Sequence, residues 1–108
     1  MRIKNLKEKI KIFNEFINKS HKNRTDTERK LLKVSKLPEE VGEFYNEFLI
    51  SLNFTRDGKT GDKKELEKEL ADVILTSLVI AEELEIDIFS VMEEKIDVVF
   101  ERFNLKEK

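Results

Sequence analysis

Apolar residues recur at steps of three and four along most of this chain, the spacing of one face of an α-helix. In residues 3–18 the repeating positions are Ile3, Leu6, Ile10, Phe13 and Ile17. Polar residues interrupt the pattern at positions 20–23. The segment Thr25-Asp26-Thr27-Glu28 then offers a Ser/Thr/Asp candidate for a helix N-cap and an acidic first turn. The pattern predicts one helix that ends near residue 20 and a second that starts near residue 25.

The second apolar pattern continues to Leu52 and contains the single proline, Pro38. A proline inside a helix lacks the N–H donor and clashes with the preceding turn. We therefore predict a kink or a short break near residues 35–38. Pro38 would then lie in the first turn of the segment that carries Glu39, Glu40 and Glu43. The positive end of a helix dipole there would favour these carboxylates.

Two further helices follow a loop at residues 53–61, which contains Asp-Gly and also Arg56 and Lys59. Asp62 is the candidate N-cap of the third helix, which we expect to end near Leu84. Asp87 is the candidate N-cap of the fourth helix, and we expect the chain to fray from Asn104. The third and fourth helices are apolar on more than one side, so we expect a central third helix, or association into a homodimer or homotetramer. With one Pro and three Gly, residues 1–108 are predicted to form a single all-α, four-helix bundle-like domain.

Composition excludes several classes of protein. The chain has no cysteine, so it can form neither a disulfide framework nor a thiolate metal site. Its longest apolar run, about a dozen residues, is too short to cross a bilayer, and the N-terminus has no apolar signal region. We expect a soluble, cytoplasmic protein without a membrane partner.

The two signs of charge are segregated along the chain. Residues 1–36 hold 12 Lys/Arg and 4 Asp/Glu, a net charge of +8, whereas residues 37–108 hold 9 and 19, a net charge of −10. A basic segment attracts nucleic acid or phosphate-rich ligands. Because no nucleic-acid-binding motif accompanies it, we interpret the basic third as a solvated helix face and expect no nucleic-acid partner.

Two pairs of carboxylates, Glu40/Glu43 and Glu69/Asp72, are each spaced three residues apart and so share a helix face. Asp72 interrupts an apolar run, and we expect it to be withdrawn from water. Four unpaired carboxylates near a core repel each other unless a cation lies among them. With no Cys, and the one His, His21, in a predicted loop, the ligands would all be oxygens. That donor set favours Mg²⁺, with Mn²⁺ as the alternative.

The order Glu39-Glu40-x-x-Glu43, then Glu69-x-x-Asp72, resembles the signature of the MazG-like, all-α nucleotide pyrophosphohydrolases, which include the dimeric dUTPases. The segments 37–44 and 81–88 resemble the family's flanking segments, and the resemblance covers roughly residues 10–103. Lys95 and Arg102, seven residues apart, resemble the basic pair of its third motif. Val99 stands where many relatives carry Asn, so no base or sugar preference follows.

The resemblance implies Mg²⁺-dependent hydrolysis of a nucleoside triphosphate to the monophosphate and pyrophosphate. The implied ligands of Mg²⁺ are Glu40, Glu43, Glu69 and Asp72, and Glu39 would orient or deprotonate the attacking water. The implied substrate-binding residues are Lys95 and Arg102 at the phosphates and Phe13 and Phe16 at the base, with core packing as the alternative for both rings. The competing interpretation of the chain is a non-catalytic helical module that binds a nucleotide or a protein partner.

Overall fold

The described part of the chain, residues 2–52 and 62–108 of a computed structural model, forms four α-helices and no strand. The helices are α1 (Ile3–Ser20), α2 (Asp26–Ser51), α3 (Lys63–Glu83) and α4 (Ile88–Arg102). This confirms the all-α, four-helix prediction. The predicted loop at 53–61, with Arg56 and Lys59, lies outside the described residues.

Side-chain caps define the N-termini of the last three helices. The Thr25 hydroxyl accepts a hydrogen bond from the Glu28 N–H at 3.1 Å, and the Thr25 N–H donates to the Glu28 carboxylate at 2.9 Å. This reciprocal pair is a capping box. The carboxylates of Asp62 and Asp87 accept from backbone N–H groups at the starts of α3 and α4. The predicted caps Asp62 and Asp87 are confirmed, and the cap predicted within residues 25–28 is Thr25.

The last two helices end on residues in the left-handed region, Glu85 (φ 56°) and Asn104 (φ 53°). The next N–H in each case reaches back over the last turn, from Ile86 to the Ala81 carbonyl and from Leu105 to the Phe100 carbonyl, both at 2.8 Å. These bonds satisfy carbonyls that a helix end otherwise leaves unpaired. The chain therefore leaves α4 through a closed turn at Asn104, where we predicted fraying.

Pro38 does not break the second helix, so of the predicted kink or short break the break is wrong. α2 runs continuously from Asp26 to Ser51, with Pro38 in its interior. An internal proline costs about 3 kcal/mol, and the packing of α2 against α3 outweighs that cost. Pro38 is consequently not in a first turn, so a helix start does not favour the carboxylates that follow it.

The core is small and lies where α3 packs against α1. Ile10, Leu78 and Val79 form its buried centre, and Leu6, Ile17, Ile88 and Phe89 pack around them. α3 is the central helix, as predicted, because it contacts both α1 and α2. It is not buried on all sides: Ile74 keeps 52% of its surface exposed. α4 has no buried residue and reaches the core through Ile88 and Phe89.

A buried polar cluster joins the first three helices. The Lys33 ammonium of α2 donates to the side-chain oxygens of Asn14 and Asn18 of α1, each at 2.6 Å. It also forms an ion pair with the Glu83 carboxylate of α3 at 3.0 Å. The side chains of Lys33 and Glu83 are only 6% and 8% exposed. Three helices thus share one charge pair that water scarcely reaches.

The chain is extended for its length. Its radius of gyration is 17.4 Å, against about 13 Å for a compact domain of this size. Among the described residues, 22 large apolar side chains stay at least 40% exposed, whereas five hydrophobic residues are buried. None of the described helices has the length and apolarity needed to cross a membrane. A large apolar surface therefore has no partner among the described residues.

Candidate metal centre

Three carboxylates from two helices converge between α2 and α3. Glu40 and Glu43 lie one turn apart on α2, and Glu69 faces them from α3. Each offers one carboxylate oxygen, and these oxygens all lie within 4.8 Å of one another. The three-residue spacing on α2 and the contact of α2 with α3 together produce this cluster, which we call the acidic triad.

Two members of the triad carry a buried oxygen that lacks a partner. Oε2 of Glu40 and Oε2 of Glu69 are buried without a hydrogen bond from the described residues. Burial raises the pKa of Glu40, and the neighbouring carboxylates of Glu43 and Asp72 raise it further. Burial likewise raises the pKa of Glu69, and Glu43, Asp72 and Glu40 add to the effect. In the absence of a cation, the site therefore disfavours its own ionised form.

Asp72 lies at the edge of this centre. Its charge raises the pKa of both Glu40 and Glu69, so it is near them, yet it is not one of the three acids whose oxygens converge. The residue is exposed, and the expectation that Asp72 is withdrawn from water is wrong. The reason is its place on α3: Asp72 borders an open cavity, which leaves the residue accessible to water.

Sequence reasoning did not include Glu47 in the site. Glu47 lies on α2 four residues after Glu43 and so on the same helix face. Its carboxylate contributes to the raised pKa of Glu69. The spacing of residues 40, 43 and 47 predicts that the three glutamates share one face of α2. It does not predict which face of α2 contacts α3.

The donor chemistry of the triad fits a hard divalent cation. Its oxygens are all carboxylate oxygens, the ligands that Mg²⁺ and Mn²⁺ accept. A cation among them would pair with the buried oxygens of Glu40 and Glu69 and offset the mutual repulsion of the acids. Asp72 and Glu47 lie close enough to add negative charge around it.

Glu39, the predicted water-activating residue, lies outside the triad. Its carboxylate forms an ion pair with the Lys36 ammonium at 3.4 Å, and both side chains are 63% exposed. Glu39 neighbours Glu40 on α2, so it stands on the flank of the site with access to water.

A cavity of about 910 Å³ opens beside the acidic triad, between α1, α2 and α3. Its apolar side includes Ile10, Phe13 and Leu75, and its acidic residues are Glu40 and Asp72. The basic residues that line it are Lys9, Arg24, Arg29, Lys33 and Lys36. The cavity thus joins an apolar surface, several cations and two of the predicted metal-binding acids.

The two aromatic residues predicted at the base pocket have different positions. Phe13 lines the cavity and is 52% exposed. Phe16 is 63% exposed and stacks on Phe13 with ring centroids 6.5 Å apart, but it does not line the cavity. Neither ring is packed in the core, the alternative that the sequence left open.

The structure does not bring the predicted phosphate-binding pair to the cavity. Lys95 and Arg102 are exposed on α4, and the cavity is lined from α1, α2, α3 and the α1–α2 turn. Lys36, four residues before Glu40 and hence on its helix face, lines the cavity instead. This spacing was visible in the sequence, but we interpreted the basic third as a solvated face.

Comparisons with protein-family profiles, with curated proteins and with solved structures found no match to this chain.

Proposed function

We propose that this protein is a MazG-like, Mg²⁺-dependent nucleoside triphosphate pyrophosphohydrolase, which releases the nucleoside monophosphate and pyrophosphate. One observation carries the proposal: three carboxylates have oxygens within 4.8 Å of one another, and one of them, Glu40, lines a cavity of about 910 Å³. A cavity of this volume accommodates a nucleotide-sized ligand. Its basic lining suits an anionic ligand, and its apolar side suits a base.

The metal would be held by Glu40, Glu43 and Glu69, with Asp72 as a further ligand or as a neighbouring charge. When bound, Mg²⁺ supplies the positive charge that holds a triphosphate and offsets the charge developing at the reacting phosphorus. The buried oxygens of Glu40 and Glu69 support this assignment because neither meets, among the described residues, the donor that buried oxygens normally have.

Glu39 is the proposed general base. Its exposed carboxylate can accept a proton from a water that enters from the solvent side, and its ion pair with Lys36 orients it beside the triad. Lys36 and Lys9 line the cavity and are the first candidates to neutralise the phosphates. Lys95 and Arg102 remain candidates through the family resemblance alone. Phe13 offers its ring to the base, with Phe16 stacked behind it.

The setting of this activity is also a proposal. Nucleoside triphosphates are cytoplasmic metabolites, so we place the enzyme in the cytoplasm. The large exposed apolar surface supports a homo-oligomer.

To test the proposal, the protein is incubated with Mg²⁺ and each member of a panel of NTPs and dNTPs, and the rate of pyrophosphate release is measured. We expect Glu69→Gln to lower the rate roughly a hundredfold or more, since it weakens metal binding. Glu67→Gln is the matched control, because it changes an exposed glutamate of the same helix and should stay within about twofold. Glu39→Gln should lower kcat while the Mg²⁺ dependence of the rate stays that of the wild type.

Absence of turnover for every nucleotide would contradict the hydrolase. In that case, nucleotide binding by calorimetry, unchanged by Glu69→Gln, would favour a non-catalytic nucleotide-binding module. Turnover that Glu69→Gln and Glu67→Gln leave equally intact would place the chemistry elsewhere.

A further inference from the structure

Thr76 of α3 supplies the one hydroxyl in the described part of the cavity wall. The other described residues that line the cavity are apolar or ionisable. Thr76 is half-buried and lies four residues after Asp72, so the two side chains share a face of α3. A ligand that enters from the acidic triad therefore meets a neutral hydroxyl one helical turn beyond Asp72.

The Thr76 hydroxyl makes no hydrogen bond to the described residues, unlike other hydroxyls of these helices. Ser35 donates to the Leu31 carbonyl at 2.6 Å, and Ser77 donates to the Val73 carbonyl at 2.9 Å. Such bonds to the preceding turn are the usual way in which a helical Ser or Thr satisfies its hydroxyl. The hydroxyl of Thr76 is instead available to a partner in the cavity.

Two contacts fix the direction of α2 relative to α3. Glu40 of α2 lies beside Glu69 of α3, and Lys33 of α2 pairs with Glu83 of α3. From the first contact to the second, residue numbers fall along α2 and rise along α3, so the two helices are antiparallel. Thr76 is midway between the two contacts on α3, about 10 Å of helix beyond Glu69.

The aromatic ring proposed for the base lies farther from the acidic triad than Thr76 does. Phe13 precedes Asn14, which accepts a hydrogen bond from Lys33 at 2.6 Å. Phe13 is therefore at the level of the Lys33–Glu83 pair. Along the cavity the chain thus presents, in order, the acidic triad, the Thr76 hydroxyl and an aromatic ring. The phosphates, sugar and base of a nucleotide follow one another in the same order.

We propose that the Thr76 hydroxyl binds the hydroxyl edge of the nucleotide sugar and makes this site selective for the sugar. The inference rests on the proposed function, because it takes the position of the phosphates from the acidic triad. A neutral hydroxyl suits this contact, since it can donate a hydrogen bond to a sugar oxygen or accept one from it. Lys9 and Lys36, which also line the cavity, suit the anionic phosphates. Thr76 acts in substrate binding and not in bond cleavage.

The test compares three triphosphates of one base with Mg²⁺: the ribonucleotide and its 2′-deoxy and 3′-deoxy analogues. For the wild type, we expect kcat/KM to fall roughly three- to tenfold for the analogue that lacks the contacted hydroxyl, the value of one neutral hydrogen bond. Thr76→Val replaces the hydroxyl by a methyl group. It should lower kcat/KM for the ribonucleotide by the same factor, through KM and not kcat, and should no longer distinguish the three sugars.

Ser77→Ala is the matched control. It removes the next hydroxyl of α3, which donates to a backbone carbonyl and does not line the cavity, so the sugar preference of the wild type should remain. Thr76→Ser keeps the hydroxyl and should keep the preference as well. Circular dichroism establishes that the variants are helical. If Thr76→Val does not fold, Thr76→Ala removes the same hydroxyl.

A binding measurement separates this inference from the proposed hydrolysis. The probes are the same three nucleotides with a non-hydrolysable imido group between the α- and β-phosphates, titrated into the wild type and Thr76→Val by calorimetry. A sugar preference in binding that Thr76→Val abolishes supports the role of Thr76 even without turnover, and in that case only the hydrolase fails. A wild type that turns over the three sugars equally, or a preference that Thr76→Val retains, overturns the role of Thr76 and leaves the proposed function intact. Absence of nucleotide binding overturns both.

Discussion

The buried charge pair of Lys33 and Glu83 is the residue-scale feature on which three helices depend. Its two side chains are almost inaccessible to water, and Asn14 and Asn18 supply acceptors for the remaining donors of the ammonium. Removing one partner of such a pair strands the other charge in a poorly solvated place, which is far more costly than losing an exposed ion pair.

Lys33→Ala should therefore lower the free energy of unfolding by about 3–5 kcal/mol. Lys30→Ala removes a cation three residues earlier that pairs with the exposed carboxylate of Asp26, and we expect a loss of about 1 kcal/mol or less. Urea denaturation followed by circular dichroism measures both. Combining Lys33→Met with Glu83→Leu should recover much of the loss, since neither charge is then left unpaired. Equal effects of the two alanine variants would contradict this role of Lys33.

The triad also shows how far residue patterns predict a site. The spacing of Glu40 and Glu43 predicted a shared face, and the structure has it. The partner across the helix packing depends on how α3 is rotated against α2, a property of the folded packing that no local spacing specifies. For that reason we expected the Asp72 carboxylate to lie inside the cluster and did not expect Glu47 to lie near it.

At the scale of elements, sequence patterns predicted the helices and their starts better than their continuity. Caps such as Thr25, Asp62 and Asp87 act within one helical turn, so a local pattern is enough to identify them. Pro38 is different. The free-energy cost of a proline inside a helix is local, whereas the packing that offsets this cost is tertiary. The positions of the ends near Leu84 and before Asn104 were predicted, but the left-handed conformations of Glu85 and Asn104 were not, since glycine more often provides them.

The capping box of α2 predicts a specific dependence of stability on pH. The backbone N–H of Thr25, then its side chain, hold the pKa of Glu28 below its ordinary value. A lowered pKa in the folded state means that this stabilisation is present above the ordinary pKa of Glu and is lost as the pH falls through the folded value. The capping box should thus weaken in acid.

Glu28→Gln removes the titrating group but keeps a side chain that can accept the bond from Thr25. We expect the stability difference between wild type and Glu28→Gln to favour the wild type at pH 7 and to shrink as the pH falls below about 4. Thr25→Ala, which removes the cap itself, should cost about 1 kcal/mol at pH 7. Thermal unfolding from pH 7 to pH 3 measures all three proteins, and Glu15→Gln in α1 is the control. A difference between wild type and Glu28→Gln that grows toward acid pH would refute the assignment.

At the scale of the whole molecule, the stability of this chain should depend on its concentration. In the proposed homo-oligomer, the apolar surface that a small core and an extended shape leave exposed would be buried between copies. A native dimer that dissociates as it unfolds is favoured by mass action, so its melting temperature rises with protein concentration. A monomer has no such dependence.

For the wild type, each tenfold increase in concentration should raise the melting temperature by about 2–4 °C. This shift is the free energy of a tenfold change in concentration divided by the entropy of unfolding two chains. Val41→Lys should melt at a lower temperature that does not change with concentration, because its charge prevents burial of the exposed apolar face of α2 that Val41 shares with Tyr45 and Phe48. Ile12→Lys, a change of another exposed apolar residue on α1, should keep the slope of the wild type. Calorimetry over two decades of concentration, at fixed scan rate and without added metal or nucleotide, separates these outcomes. A wild type whose melting temperature stays constant across that range would show that the folded state of this chain stands without a second copy.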